Sequence, residues 1–295
     1  MNKSLEQQLY EQRQRGALCS GLSHEIYQAL SAIRASSGLL EQAMGQQAPQ
    51  AREQLSWVFE NIDQSTLRLS RVAENLQDLL QAERGVLTPR WELLDLARQY
   101  TDSMELLQKG AQVYDIQLNW VCSVDDAIFL SADSDWADKI LLHLVTNAVL
   151  CSERGQAVTV TLSRQDHALL LTVEDQGPGL PDWVKKHLFE AFVAQYDTRE
   201  DVVPGGTGLG LYLVHEYARA MGWQFQLDSS DEGTRAMVTI PLNSQAVQEA
   251  AEETLHSAAR VWQGSARNSR ALAELGLWRA RKEVLDPKEE QEKAK

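Results

Sequence analysis

Two neighbouring side chains in the stretch GLSHEIYQAL, residues 21–30, have the chemistry of an activated nucleophile. His24 and Glu25 sit side by side within a segment of helical apolar spacing, where Leu22 and Ile26 lie on the apolar stripe. At about 100° per residue His24 is about 200° around the helix from each, so it points away from the stripe. A neutral imidazole is a competent nucleophile. An adjacent carboxylate favours the tautomer and the proton loss that attack on a phosphate requires. The bland alternative is a solvated His–Glu pair on a helix surface, and the decapeptide alone does not separate the two.

Four further segments bear on phosphate or base binding. GGTGLGL (205–211) opens a helix. Backbone amides at a helix N-terminus, uncluttered by side chains, bind phosphate well, although glycine-rich turns are common for other reasons. EDQGPGL (174–180) follows an apolar strand. An Asp at a strand end before such a turn can present its carboxylate to a base edge, and it can equally be a plain turn. HLFEAFV (187–193) reads as a short helix packing Phe189 and Phe192 on a core. Asn147 lies inside the helical segment LLHLVTNAVL, with His143 one turn before it. Asn is mildly unfavourable within a helix. It is either an exposed polar residue or an oxygen ligand for a Mg²⁺ that also holds phosphates and waters.

The surrounding elements set where these residues sit. Residues 1–84 read as two helices. In the second, Leu55, Phe59, Ile62, Thr66, Leu69, Ala73, Leu76 and Leu80 alternate at spacings of four and three, as in the seam of a coiled coil or bundle. In the first, the stripe runs Leu18, Leu22, Ile26, Ala29 or Leu30, Ile33, Leu40 and Met44. MGQQAPQ (44–50) breaks the pair into a hairpin. Two helices bury too little to stand alone, so a homodimer forming a four-helix bundle is expected. After ERGVLTP (83–89) the pattern changes. DIQLNWV and AIFLSA read as strands, and residues 134–153 as a helix capped by Ser134 or Asp133. Residues 156–175 read as a hairpin turned near Gln165–His167. A helix follows from about Leu209 to Met221, then the strands WQFQLDS and TRAMVTIPL. With no regular βαβ repeat, the fold class is α+β: a mixed sheet with helices on one face. Residues 243–295 are polar, rich in Ala and Glu and helix-prone, and end in the charged DPKEEQEKAK. Three domains are thus expected: 1–86, 87–242 and a helical or partly disordered tail, 243–295.

Composition excludes some classes. A net charge of −14 argues against nucleic-acid binding, which needs clustered Lys and Arg on phosphates. No window approaches about 18 consecutive apolar residues, so no membrane span is expected. The start, MNKSLEQQLYEQRQRG, is not a signal peptide. Three scattered cysteines fit free thiols in a reducing compartment, and a cytoplasmic location is expected.

No one motif decides the chemistry, but their order is specific. The succession Asn147, Asp175-x-Gly177-x-Gly179, Phe189-x-x-Phe192 and Gly206-x-Gly208-x-Gly210 resembles the N, G1, F and G2 boxes of sensor histidine kinases. SHEIYQALSAI (23–33) resembles their H box, so the resemblance extends over residues 1–242. It implies a dimeric phosphoacceptor hairpin followed by an α/β sandwich of Bergerat type that binds ATP and Mg²⁺. By this likeness His24 is the phosphoacceptor, Glu25 its base, and Gln28 stands where the family often carries a residue for phosphatase activity. Asn147 matches the Mg²⁺ ligand and Asp175 the contact to the adenine amino group. Gly177 and Gly179 match the adenine-side turn. Gly206, Thr207, Gly208, Leu209 and Gly210 match the phosphate side, and residues 193–205 a lid. The implied partner is the receiver domain of a response regulator.

The chain departs from the pattern in places. Ala29 replaces the usual Pro, His143 the first Asn of the N box, and Leu150 and Cys151 a cation and an aromatic or His after it. Arg199, or Lys185 and Lys186, are candidate substitutes for that cation. About twenty residues precede the H box, so no sensor domain is expected in this sequence: either the chain is a fragment, or input arrives from a separate sensor protein or through the tail. The main alternative to a kinase is a non-enzymatic histidine phosphotransfer adaptor with a degenerate ATP-binding domain. A third is a relative that hydrolyses ATP or phosphorylates serine, against which the absence of Glu at position 143 argues.

Overall fold

The computed structural model describes residues 26, 30, 33, 36, 50–112, 115–124, 128–189 and 208–242. The chain divides into two units, one of Met1–Gln77 with Glu190–Leu209, the other of Asp78–Phe189 with Gly210–Lys295.

In the first unit Ile26, Leu30, Ile33 and Ser36 are helical, and the long helix α1 (Gln50–Glu83) provides the rest of the described structure before running on into the second unit. Of the expected stripes, Ile26 and Leu30 are exposed in the single chain, as are Thr66 and Ala73. The buried row of α1 lies beside the expected seam, at Ser65, Val72 and Leu79. The remainder of the N-terminal hairpin, with His24, Glu25 and Gln28, and the tail from residue 243 lie outside the described residues.

The second unit begins with the end of α1, which closes in a glycine cap. Gly85 has φ +67°, its amide donates to Ala82 O at 2.9 Å, and the Val86 amide donates to Gln81 O at 3.0 Å. This is the paired-bond termination that a left-handed glycine permits. There follow β1 (Glu92–Asp95), α2 (Leu96–Gln112), β2 (Gln117–Ser123), β3 (Phe129–Ala132), α3 (Ser134–Cys151), β4 (Ala157–Gln165) and β5 (Ala168–Glu174). Then come a short α4 (Asp182–Lys186), α5 (Gly210–Ala220), β6 (Gln224–Ser230) and β7 (Gly233–Pro241).

The main sheet has the order β2-β4-β5-β7-β6, with β2 parallel to β4 and every other pair antiparallel. β1 and β3 form a separate antiparallel pair. Strict alternation gives the sheet one apolar face. Val158, Val160 and Leu162 of β4 lie beside Val173, Leu171 and Leu169 of β5, and these beside Ala236, Val238 and Ile240 of β7, all buried. Their neighbours Thr159, Thr161, Thr172 and Thr239 are only half-buried. α3 packs on β4 and β5, α2 on β2 and α5 on β6, so the helices cover the single apolar face. The α+β class with a mixed sheet is as expected. α2 is absent from the elements expected from the sequence, although its buried Leu96, Tyr100, Met104, Leu107 and Ala111 keep helical spacing. Of the short helix expected at 187–193, residues 187–189 are a turn and residues 190–193 lie outside the described residues; a short helix precedes them at Asp182–Lys186. Phe192 lies outside the described residues.

Candidate functional site

The site is built from both ends of the sheet's helical cover. Asp175 follows β5, where the strand hands over to the turn Gln176–Leu180. Its Oδ1 accepts the amide of Gly177 at 2.9 Å and the amide of Thr234, at the start of β7, at 3.2 Å. Its own amide donates to Thr234 O at 3.0 Å. One carboxylate oxygen is thus fixed by two backbone donors. The other, Oδ2, has no hydrogen bond among the described residues and is available as an acceptor. Burial pushes the Asp175 carboxyl above its ordinary range, and the two amide bonds partly offset the rise.

The glycines around Asp175 allow backbones to approach where a Cβ has no room. A Cβ at Gly177 would lie 2.6 Å from the Cys151 carbonyl at the end of α3. At Gly179, with φ +70°, it would lie 1.9 Å from Ser230 O. The Leu180 amide donates to Ser229 Oγ at 2.7 Å, which ties the turn to the end of β6. Gly233 closes the other side, since a Cβ there would lie 2.1 Å from Asp175 O.

Asn147 stands in the last two turns of α3, half-buried within an otherwise buried stretch. The Gly210 backbone, first residue of α5, lies against it. A Cβ on Gly210 would be 3.5 Å from Asn147 Nδ2, 3.7 Å from Asn147 Oδ1 and 3.7 Å from His143 Nδ1. Asn147 and the N-terminus of an eleven-residue helix therefore face each other. That arrangement suits an anion on the amides and a cation held by an amide oxygen. The Asn147 side chain has no hydrogen bond among the described residues, so its oxygen is free to take a ligand. Among the described residues no group of three or more His, Cys, Asp or Glu can hold a metal. A hard cation sharing its shell with phosphates needs no such group.

Gly208, with φ +67°, and Leu209 precede α5, while Gly206 and Thr207 lie outside the described residues. His143 is buried at 4% exposure. Leu150 is half-buried, and Cys151 is exposed. Lys185 is exposed and lies 3.6 Å from Asp182 Oδ1, and Arg199 lies outside the described residues. Phe189 stacks on His215 of α5 at 4.4 Å and meets Phe225 of β6 edge-on at 5.8 Å. Gly233, Thr234 and Ser229 were not among the residues expected from the motifs. A glycine opening a strand is the signal for them, because it marks close backbone approach.

Residues 132–244 match the family described as histidine kinase-, DNA gyrase B-, and HSP90-like ATPase. The chain is similar in sequence to sensor histidine kinases. It is 30% identical over 230 residues to the circadian input-output histidine kinase CikA of Synechococcus elongatus, over 77% of this chain and 30% of that protein. With the sensor histidine kinase ZraS of Escherichia coli O157:H7 it shares 28% over 231 residues, 77% of this chain and 46% of the relative. With sporulation kinase A of Bacillus subtilis it shares 26% over 227 residues, 77% of this chain and 34% of the relative. The chain thus spans less than half the length of these curated relatives. The solved structure of the Acinetobacter baumannii histidine kinase AdeS has the same fold, with a TM-score of 0.52 at 18% identity over 75% of this chain and 98% of that one. No described helix is long and apolar enough to cross a membrane.

Proposed function

We propose that this histidine kinase homologue is an ATP-dependent protein-histidine kinase. It phosphorylates itself on His24 and passes the phosphoryl group to an aspartate of a separate response regulator. The observation that carries this reading is the Asp175 carboxylate, with Oδ1 held by the Gly177 and Thr234 amides and Oδ2 left to accept from an adenine amino group. Asn147 and the α5 N-terminus then receive the triphosphate end, Asn147 Oδ1 being the protein ligand to a Mg²⁺. When bound, that ion neutralises phosphate charge. Gly206, Thr207, Gly208, Leu209 and Gly210 bring backbone amides toward the phosphates.

In the transfer, Glu25 accepts the proton of the His24 imidazole and holds the ring in the reactive tautomer. A nitrogen–phosphorus bond forms at His24 as the bond from the γ-phosphorus to the bridging oxygen breaks, and ADP leaves. The phosphoryl group then moves from the imidazole to a carboxylate oxygen of the receiver aspartate, and histidine takes back a proton. Gln28, four residues on from His24 in the sequence, orients water for the reverse, dephosphorylating reaction on that regulator. Two copies of the chain pair their hairpins in a four-helix bundle, and scattered free thiols support a cytoplasmic setting.

The test is incubation with γ-labelled ATP and Mg²⁺. The expected result is an acid-labile, base-stable mark that His24→Gln removes. A mark that survives the substitution overturns the assignment. Absence of both the mark and Mg²⁺–ATP binding in calorimetry would instead identify a phosphotransfer adaptor with a degenerate ATP-binding domain, whereas tight binding that Asn147→Asp abolishes rules the adaptor out.

A further inference from the structure

The chain's obvious linker, residues 84–91, looks like the joint between the histidine-bearing helix and the ATP-binding unit. Side-chain contacts at both of its ends contradict that impression. On the near side, Asp78 of α1 is buried, and its Oδ2 accepts from Lys139 Nζ at 2.5 Å and from the Tyr217 hydroxyl at 2.6 Å. Lys139 belongs to α3 and Tyr217 to α5, and the ammonium also lies 5.7 Å from the centroid of the Tyr217 ring. Trp136 stacks on the Tyr217 ring at 5.2 Å. Leu79 and Ala82 are buried alongside. Tyr212 of α5 is pushed up to about 12, first by burial, then by Glu216 and by Glu83 at the end of α1. On the far side of the linker the Arg90 amide donates to Asp133 Oδ2 at 2.8 Å, and its guanidinium to Asp135 Oδ2 at 2.8 Å.

These contacts use the same two helices that make the phosphate end of the site. Lys139, His143 and Asn147 recur every four residues on α3. Gly210, Val214 and Tyr217 recur at four and three on α5. Each set lies on one helix face. The α3–α5 seam therefore runs from Asn147 and Gly210 at one end to Lys139, Tyr217 and Asp78 at the other.

The proposed chemistry, on which this inference rests, demands movement at a joint. His24 must meet the γ-phosphate and afterwards the receiver's aspartate, and both cannot occupy it together. We propose that Asp78, Lys139 and Tyr217 are positioning residues of the phosphoryl transfer: they make α1 from Asp78 onward part of the ATP-binding unit. The unit then repositions by bending α1 ahead of Asp78, while the linker Arg84–Arg90 stays fixed. Bending an intact helix breaks backbone hydrogen bonds, so the latch restrains the transfer, and freeing Asp78–Glu83 eases it.

Hydrogen exchange and labelling on the full chain test this together. In the wild type the amides of residues 78–83 should exchange as slowly as those of α3. In Lys139→Met and Asp78→Asn they should exchange about tenfold faster or more, with β4 and β5 unchanged. The same variants should label His24 about threefold faster while KM for ATP stays within about twofold. Lys139→Arg, which keeps the charge, should restore both. Fast exchange at 78–83 in the wild type overturns the proposal. So does an unchanged or reduced labelling rate, or a KM that moves with the rate. If the wild type is not labelled at all, the kinase reading fails and the positioning role with it, and the exchange result still decides whether the latch exists.

Discussion

Asp175 combines two demands in one side chain. Its Oδ1 holds the turn Gln176–Leu180 to β7, and its Oδ2 is left for the proposed ligand. Because burial raises its folded-state value above the ordinary 3.8, the folded protein holds that proton more readily than the unfolded chain. Its contribution to stability is therefore present below the ordinary value and is lost as pH rises through the raised one. An Asn at this position keeps an oxygen for both amides and carries no charge. Asp175→Asn should weaken ATP binding about tenfold to a hundredfold, as expected for a lost charge-assisted hydrogen bond, without lowering the thermal midpoint at neutral pH. Its stability relative to wild type should improve with pH through the carboxylate range and then level off, which calorimetry and denaturation from acid to neutral pH would show. Gly179 is the converse case, a residue defined by what it lacks. Gly179→Ala puts a Cβ against Ser230 O at a positive φ and should cost about 3 kcal/mol or more in chemical denaturation. Both residues were readable from their place in a motif. Thr234 was not, because a backbone amide leaves no trace in residue type.

At the scale of elements, spacing predicted well where one face is buried and the other wet. The β4–β5 hairpin turns at Asp166 and His167, within the expected span, and Asp166 has φ +48°. α3 is capped by Asp133, whose Oδ1 accepts the Trp136 amide at 3.1 Å, resolving the choice between Ser134 and Asp133. Asp133 Oδ2 also takes the Arg90 amide, so one side chain satisfies a helix end and a loop. Asp133→Ala should cost about 2 kcal/mol, the upper range for a cap, because the Arg90 amide loses its acceptor as well. Urea titration would measure it. α2 escaped notice since polar residues such as Gln99 and Ser103 interrupt its apolar row. Both are buried, and their hydrogen bonds lie with α3: Gln99 Nε2 donates to Ser134 O at 2.8 Å and Ser103 Oγ to Asp138 Oδ1 at 3.3 Å. Partners 35 residues away are invisible to a local pattern.

For the molecule as a whole, the exposed Ile26 and Leu30 lie on the stripe assigned to the proposed dimer. Leu30→Glu should shift the proposed dimer toward monomer in sedimentation equilibrium while leaving ATP affinity intact. Fold class was readable because it follows from the succession of periodicities. The long-range pairings were less so, since β5 takes its second neighbour not from the adjacent hairpin but from β7, more than sixty residues on. That pairing has a consequence for synthesis on the ribosome. Until β7 has emerged, β5 is a bare edge carrying Leu169, Leu171 and Val173, and Asp175 lacks the Thr234 amide. The proposed nucleotide pocket is therefore among the last features to form, and a growing chain stalled before Gly233 would offer chaperones an open apolar strand before it had the site proposed for ATP.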